Sequence, residues 1–175
     1  MEKRKTSNTR NKCLVEQNDT ITVIQGDALS PETDNPTIIA HVVNDIGAWG
    51  AGFVNIISKR WKKPEEMYRK LCKKIDKDLL LGAIQIVDVE ENLFICNMFA
   101  MNGVFNAKTN PHPLNYDRLL FCLKTLRYKA ERENIQYIQM PKIGAGLARG
   151  NWDVILKLIR IAFKNSNITI TIKHL

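Results

Sequence analysis

Twice along this chain an apolar run ends in a glycine-rich turn that opens straight into a helical pattern. That repeated strand–loop–helix order directs the chain to the α/β class. The first turn is Asn44-Asp45-Ile46-Gly47-Ala48-Trp49-Gly50-Ala51-Gly52-Phe53, after the run 37–43. The second is Pro141-Lys142-Ile143-Gly144-Ala145-Gly146-Leu147-Ala148-Arg149-Gly150-Asn151-Trp152, after 136–140. Glycines in such turns let the backbone approach an anion and present successive N–H groups to it. The positive end of the ensuing helix adds to that preference. Two such loops in one small domain point to a ligand whose diphosphate is held between them.

The rest of the pattern fits around these loops. A strand is predicted over 20–25, ending in Gly26-Asp27. The nearly continuous apolar run 37–43 reads as a strand buried on both faces. Phe53, Val54, Ile56, Ile57 and Trp61 mark a short helix, and Pro64 suits the first position of another. Runs 83–89 and 93–98, joined by Glu90-Glu91-Asn92, predict an antiparallel hairpin, so the sheet is mixed. Residues 101–113 form a loop rich in Asn, Lys and Pro, long enough to cover a ligand. Asn115 and Asn151 are placed to cap helices whose apolar stripes follow them, and 168–173 alternates as a closing strand.

With 175 residues the chain suits one domain, and no apolar run reaches the length of a membrane span. No membrane partner is expected, and the cytoplasm is the expected compartment, or the nucleus in a eukaryote. The net charge is +8. Five basic and two acidic residues fall within 1–18, read as a flexible basic tail, and the remaining charge reads as spread over the domain. A polyanion is one partner such charge favours; a solvated surface is the other reading. Cys13, Cys72, Cys96 and Cys122 are too dispersed for a C-x-x-C pair and read as free thiols, and no metal site is expected.

Several polar residues stand where chemistry is possible. Asp27 ends the first strand, where ligands of open α/β sheets bind; it either accepts from an amine or hydroxyl or caps its own turn. Asn44 suits a sugar hydroxyl, and Asp45 suits an ordered water; either equally suits an Asx turn. Trp49, among small residues in a loop, reads as an exposed contact surface. Trp61 and Trp152 read as core. His41 reads as a satisfied core histidine, with a catalytic base as the alternative.

Together these residues resemble the macrodomain family. The resemblance rests on Gly26-Asp27-Ala28, on Ala40-His41-Val42-Val43-Asn44 with Trp49-Gly50-Ala51-Gly52, and on Met140-Pro141-Lys142-Ile143-Gly144-Ala145-Gly146-Leu147 before a Trp-bearing helix. The last is similar to the branch that holds the terminal ADP-ribose protein glycohydrolase, the ALC-type remodeller macrodomain and the yeast ADP-ribose 1″-phosphate phosphatase. The resemblance implies a macrodomain over 19–175: a three-layer α/β/α sandwich with a central six-stranded mixed sheet and ADP-ribose across its edge. It further implies Asp27 at the adenine amine with Ala28 beside it, and Asn44 near the distal ribose. Gly50, Ala51, Gly52 and Phe53 would form one phosphate loop, with Trp49 beside it. Gly144, Ala145, Gly146 and Leu147 would form the other, with Pro141 and Ile143 at its start.

Two departures bear on activity. The branch's glycohydrolase uses a lysine that falls here at Ala100 or Met101, with Lys108 the nearest downstream candidate, and an acid that falls at Ala148. A covalent lysine step is therefore not expected. The leading expectation is direct hydrolysis of ADP-ribosyl linkages on protein, nucleic acid or small ADP-ribose derivatives, as a glycohydrolase or an ADP-ribose 1″-phosphate phosphatase, with His41, Asn44 and Asp45 as candidate catalytic residues. The alternative is a non-catalytic reader of ADP-ribose. A third reading, a nucleic-acid-binding domain, calls for aromatics among the basic residues of 3–12, which contain none. No cofactor is expected, and a monomer is.

Overall fold

The computed structural model describes residues 20–174, so the tail expected over 1–18 and Cys13 lie outside the described residues. Six strands, β1 (Ile21–Gln25), β2 (Thr37–Asn44), β3 (Ile84–Glu90), β4 (Leu93–Met101), β5 (Tyr137–Pro141) and β6 (Thr169–His174), form one sheet in the order β1-β6-β5-β2-β4-β3. All neighbours are parallel except β3 and β4, which make the antiparallel hairpin that the acidic turn predicts. β2 lies between β5 and β4, buried along almost its whole length, as its unbroken apolar run requires. β4 continues three residues past the predicted end at 98, because Phe99, Ala100 and Met101 remain apolar and buried.

The helices are α1 (Phe53–Arg60), α2 (Lys63–Lys74), α3 (Lys77–Leu80), α4 (Tyr116–Arg132) and α5 (Trp152–Phe163). Sequence periodicity misses α3: it is a single turn, too short to show a period, started by the Asp76 side chain accepting from the Asp78 N–H. Asn115 and Asn151 cap α4 and α5 as expected, each accepting from backbone N–H groups of the first turn.

Two apolar layers enclose the sheet. On one face, Leu119, Leu123 and Leu126 of α4 and Ile155 and Ile159 of α5 pack with Ile38, Met98, Met140 and Ile170. On the other, Ile57 of α1 and Tyr68 of α2 pack with Ile39, Val43, Ile95 and Phe99. Burying a side chain of this size contributes roughly 2 kcal/mol. Trp61 and Trp152, expected in the core, are only half-buried and pack on the margins of these layers. The Trp61 indole N–H donates to Glu90 Oε1 at 2.8 Å, and that polar tie keeps its ring at the surface. The charge is also less evenly spread than expected: residues 59–77, essentially the end of α1 and all of α2, hold nine basic and three acidic side chains.

Candidate functional site

Where β2 and β5 run parallel and end side by side, their following loops enclose a cavity of about 550 Å³. Its walls come from His41–Asn44, Ala48, Gly50–Val54, Met101, Val104, Phe105, Pro141–Gly144 and Gly146–Ala148. No carboxylate stands among these residues, and Lys142 is their single ordinarily charged side chain.

The first loop is held from below by polar side chains. Asn44 Oδ1 accepts from the N–H groups of Ile46 (3.1 Å) and Ala48 (3.0 Å) and from the Tyr68 hydroxyl (2.7 Å). Asn44 Nδ2 donates to the Ala48 carbonyl at 2.6 Å. From α2, Arg69 donates to the carbonyls of Gly47 (2.9 Å) and Trp49 (3.0 Å). With these acceptors engaged, the N–H groups of Gly50, Ala51 and Gly52 have no acceptor among the described residues. α1 then starts without a capping side chain or an acidic residue in its first turn, so its positive end stays open.

The second loop is held by its own backbone and by close packing. Gly144 adopts φ +70°, the Gly150 N–H donates to the Gly144 carbonyl at 2.8 Å, and the Arg149 N–H donates to Gly146 at 3.0 Å. A Cβ at Gly150 would lie 2.8 Å from that same carbonyl oxygen, so this turn closes only around glycine. The N–H groups of Gly144, Gly146 and Leu147 have no acceptor among the described residues. Leu147 reaches across to the first loop, and a Cβ at Gly52 would stand 3.1 Å from its Cδ1.

The structure brings His41, Asn44, Gly50, Ala51, Gly52, Phe53, Pro141, Ile143, Gly144, Gly146 and Leu147 together around the cavity. It does not bring the rest. Trp49 is not an exposed contact surface: it is 5% exposed, and its indole N–H donates to Ser58 Oγ at 2.7 Å beside Tyr68. Asp45 is buried with Oδ1 accepting from the Gly103 N–H at 2.7 Å; its carboxylate ties two loops together and does not line the cavity. Ala145 is likewise outside the wall, as are Asp27 and Ala28, which stand at the β1 end of the sheet edge. Both Asp27 oxygens serve its own turn, accepting from the Leu29 N–H (2.9 Å) and the Ser30 hydroxyl (2.8 Å). The Leu29 bond foremost holds that carboxyl below the usual range.

His41 is buried and still touches the cavity. Its Nε2 lies 2.6 Å from Asn97 Oδ1, and Asn97 Nδ2 donates to Gln85 Oε1, so the network assigns the ring proton to Nε2. Burial lowers its pKa to about 4 against the weaker opposing effect of the Asn97 bond, so the ring is neutral at pH 7. Ala148 is 3% exposed in the wall, and Ala100 is fully buried in the core. Lys108 sits within the turn closed by the Asn106–Asn110 bridge and does not line the cavity. Sequence reasoning did not single out Val42, Val43, Val54, Val104, Phe105 or Lys142 as wall residues. Phe105 was the most accessible of these, as the lone aromatic in the loop proposed to cover a ligand.

No protein-family model matches the chain. A macrodomain protein from Streptomyces coelicolor superposes with a TM-score of 0.75 at 32% identity, covering 89% of this chain and 99% of that one. The chain belongs to the macrodomain family. Among curated proteins, this macrodomain is 28% identical over 154 residues to the ADP-ribose 1″-phosphate phosphatase of Saccharomyces cerevisiae strain YJM789, spanning 75% of this chain and 86% of that one. It is 23% identical over 153 residues to the human ADP-ribose glycohydrolase OARD1, spanning 87% and 90%. The six-stranded mixed sheet between two helical layers is the architecture the resemblance implies.

Proposed function

We propose that this macrodomain binds ADP-ribose and hydrolyses ADP-ribosyl linkages. The observation that carries the reading is the set of backbone N–H groups at Gly50, Ala51, Gly52, Gly144, Gly146 and Leu147, without protein acceptors, on two loops that meet over a cavity free of carboxylates. A diphosphate satisfies such donors from both sides, and charge-assisted bonds of this kind are the strong ones. The hydrolase names of the yeast and human relatives support the same reading. In it, Asn44 shapes the first loop beside the distal ribose, its amide oxygen being taken by Ile46, Ala48 and Tyr68, and neutral His41 takes the proton of the attacking water. Cytoplasmic location and a monomeric state belong to this proposal, the latter checked by sedimentation.

A non-catalytic reader is the second reading, favoured by the methyl group of Ala148 in the wall where the branch's glycohydrolase carries an acid. Release of ADP-ribose from acidic-residue, serine, arginine, DNA-base and 1″-phosphate linkages, alongside binding of free ADP-ribose, separates the two. The expected result is release from at least one linkage, slowed about a hundredfold in His41→Gln with binding retained. Binding without release from any linkage selects the reader. Gly52→Glu, which puts a carboxylate into the first loop, is expected to abolish binding; undiminished affinity would overturn the placement of the ligand.

A further inference from the structure

The net positive charge of the folded domain is gathered at one place. Residues 59–77 carry nine basic and three acidic side chains, whereas 19–58 and 78–175 together carry twelve basic and thirteen acidic ones. All nine of those basic residues are exposed. Three have carboxylate partners: Arg60 with Glu90, Lys63 with Asp88, and Arg69 with Glu65. Lys59, Lys62, Lys70, Lys73, Lys74 and Lys77 have no ion pair among the described residues.

The helical period sorts α2 into two sides. Pro64, Tyr68 and, less deeply, Leu71 face the sheet, where Tyr68 joins the apolar layer. Lys63, Lys70, Lys73 and Lys74 take the opposite side, with Glu66 the one acid among them. At the rise of an α-helix this row is roughly 16 Å long. One strand of a nucleic-acid duplex presents about five phosphates over that length. Like charges gathered on one helix face repel one another, and a polyanion laid along them relieves the repulsion. α2 packs on β3 and β4, and Arg69 fastens it to the first loop, so the basic side borders the cavity without lining it.

The kind of polyanion follows from the other side chains of the surface. Single strands are held by stacking their open bases on aromatic rings. Of the two aromatic residues within 59–77, Tyr68 is buried, and Trp61 already carries the Arg60 guanidinium over its ring at 4.5 Å. A lipid surface is entered by the apolar side of a basic helix, and here that side is spent on the core. A duplex turns its phosphates outward along each strand and asks for charge alone. We propose that the basic side of α2, with Lys59, Lys62 and Lys77 at its ends, is a docking surface for the phosphate backbone of duplex nucleic acid, held without reading its sequence and without need of an ADP-ribosyl group.

The test is fluorescence anisotropy of the full chain with a labelled DNA duplex that bears no ADP-ribosyl group, over about 50 to 200 mM salt. Wild type is expected to bind with a log–log salt slope of about −4. The triple variant Lys70→Gln, Lys73→Gln, Lys74→Gln keeps good helix formers at exposed positions; it should weaken binding at least about tenfold and bring the slope to about −1. The triple variant Lys124→Gln, Lys129→Gln, Lys164→Gln removes the same charge from exposed positions of the opposite helical layer and should stay within about twofold of wild type. Saturating ADP-ribose should leave duplex affinity within about twofold. Failure of wild type to bind the duplex, undiminished affinity in the α2 triple, or equal weakening by both triples overturns the surface. Displacement of the duplex by ADP-ribose overturns it too, by placing the duplex in the cavity. Tighter binding to the single strand, or binding to phosphatidylserine vesicles without binding to the duplex, overturns the choice of partner. None of these outcomes touches the ADP-ribose reading, which fails only on loss of ADP-ribose binding itself.

Discussion

The two glycine loops present the same chemistry and are built in opposite ways. The first relies on side chains from elsewhere: Asn44 below it, and Tyr68 and Arg69 of α2 beside it, engage its carbonyls and set its curve. The second relies on exclusion. Gly144 and Gly150 fold onto one another against Leu114 and Ile155, where no side chain fits. A loop shaped by hydrogen bonds has parts that can be weakened one at a time. A loop shaped by packing fails at a single carbon atom.

Gly150→Ala is the strongest challenge to that contrast. Its Cβ meets a backbone carbonyl that cannot swing aside, so a destabilisation of about 4 kcal/mol is expected. That corresponds to a fall of roughly 8–16 °C in Tm by calorimetry. A change below about 1 kcal/mol would show that the second loop has slack. Acid comes next and acts on the first loop, because His41 packs edge-on against Trp49 and Phe53. Its pKa in the folded protein, about 4, lies below the ordinary 6.5, so the unfolded chain binds more protons between these values. The contribution of neutral His41 is complete above pH 6.5 and is lost as pH falls toward 4, by up to roughly 3 kcal/mol. Urea unfolding followed by Trp fluorescence at pH 7 and pH 4 should show this loss, and His41→Gln should reduce it.

Smaller effects dissect the first loop. Asn44→Ala strips the acceptor of three donors and is expected to cost about 2 kcal/mol in chemical denaturation, with a loss of ADP-ribose affinity. Arg69→Met removes two bonds to the loop, and an ion pair with Glu65, from a half-exposed side chain; about 0.5–1 kcal/mol is expected, with a several-fold weaker affinity. If Arg69→Met exceeded Asn44→Ala, the loop would hang from α2 and not from β2.

What the sequence made legible follows from where each signal is written. The strands, the hairpin and the Asn115 and Asn151 caps are local, as are the glycines of both loops, and they are found where the residues place them, apart from the far end of β4. The burial of Trp49 is not local: it depends on Ser58 and Tyr68, which a reading of 44–53 alone does not bring near. Asp45 is misread for the same reason, since its partner Gly103 is 58 positions away. Phe105 carries no periodic signal in a loop of Asn, Lys and Pro. Its place in the cavity wall shows only once the chain is folded.

Each loop is rooted in a different apolar layer. Trp49 sinks among Tyr68 and Phe99 on one side of the sheet, while Ile143 and Ala148 sink among Leu114 and Ile155 on the other. A ligand gripped by both loops is therefore a brace between two layers that the sheet and the reach of Leu147 already join. Its binding free energy must be overcome before either layer can open alone, so amides of both layers should slow together in hydrogen exchange as ligand is added.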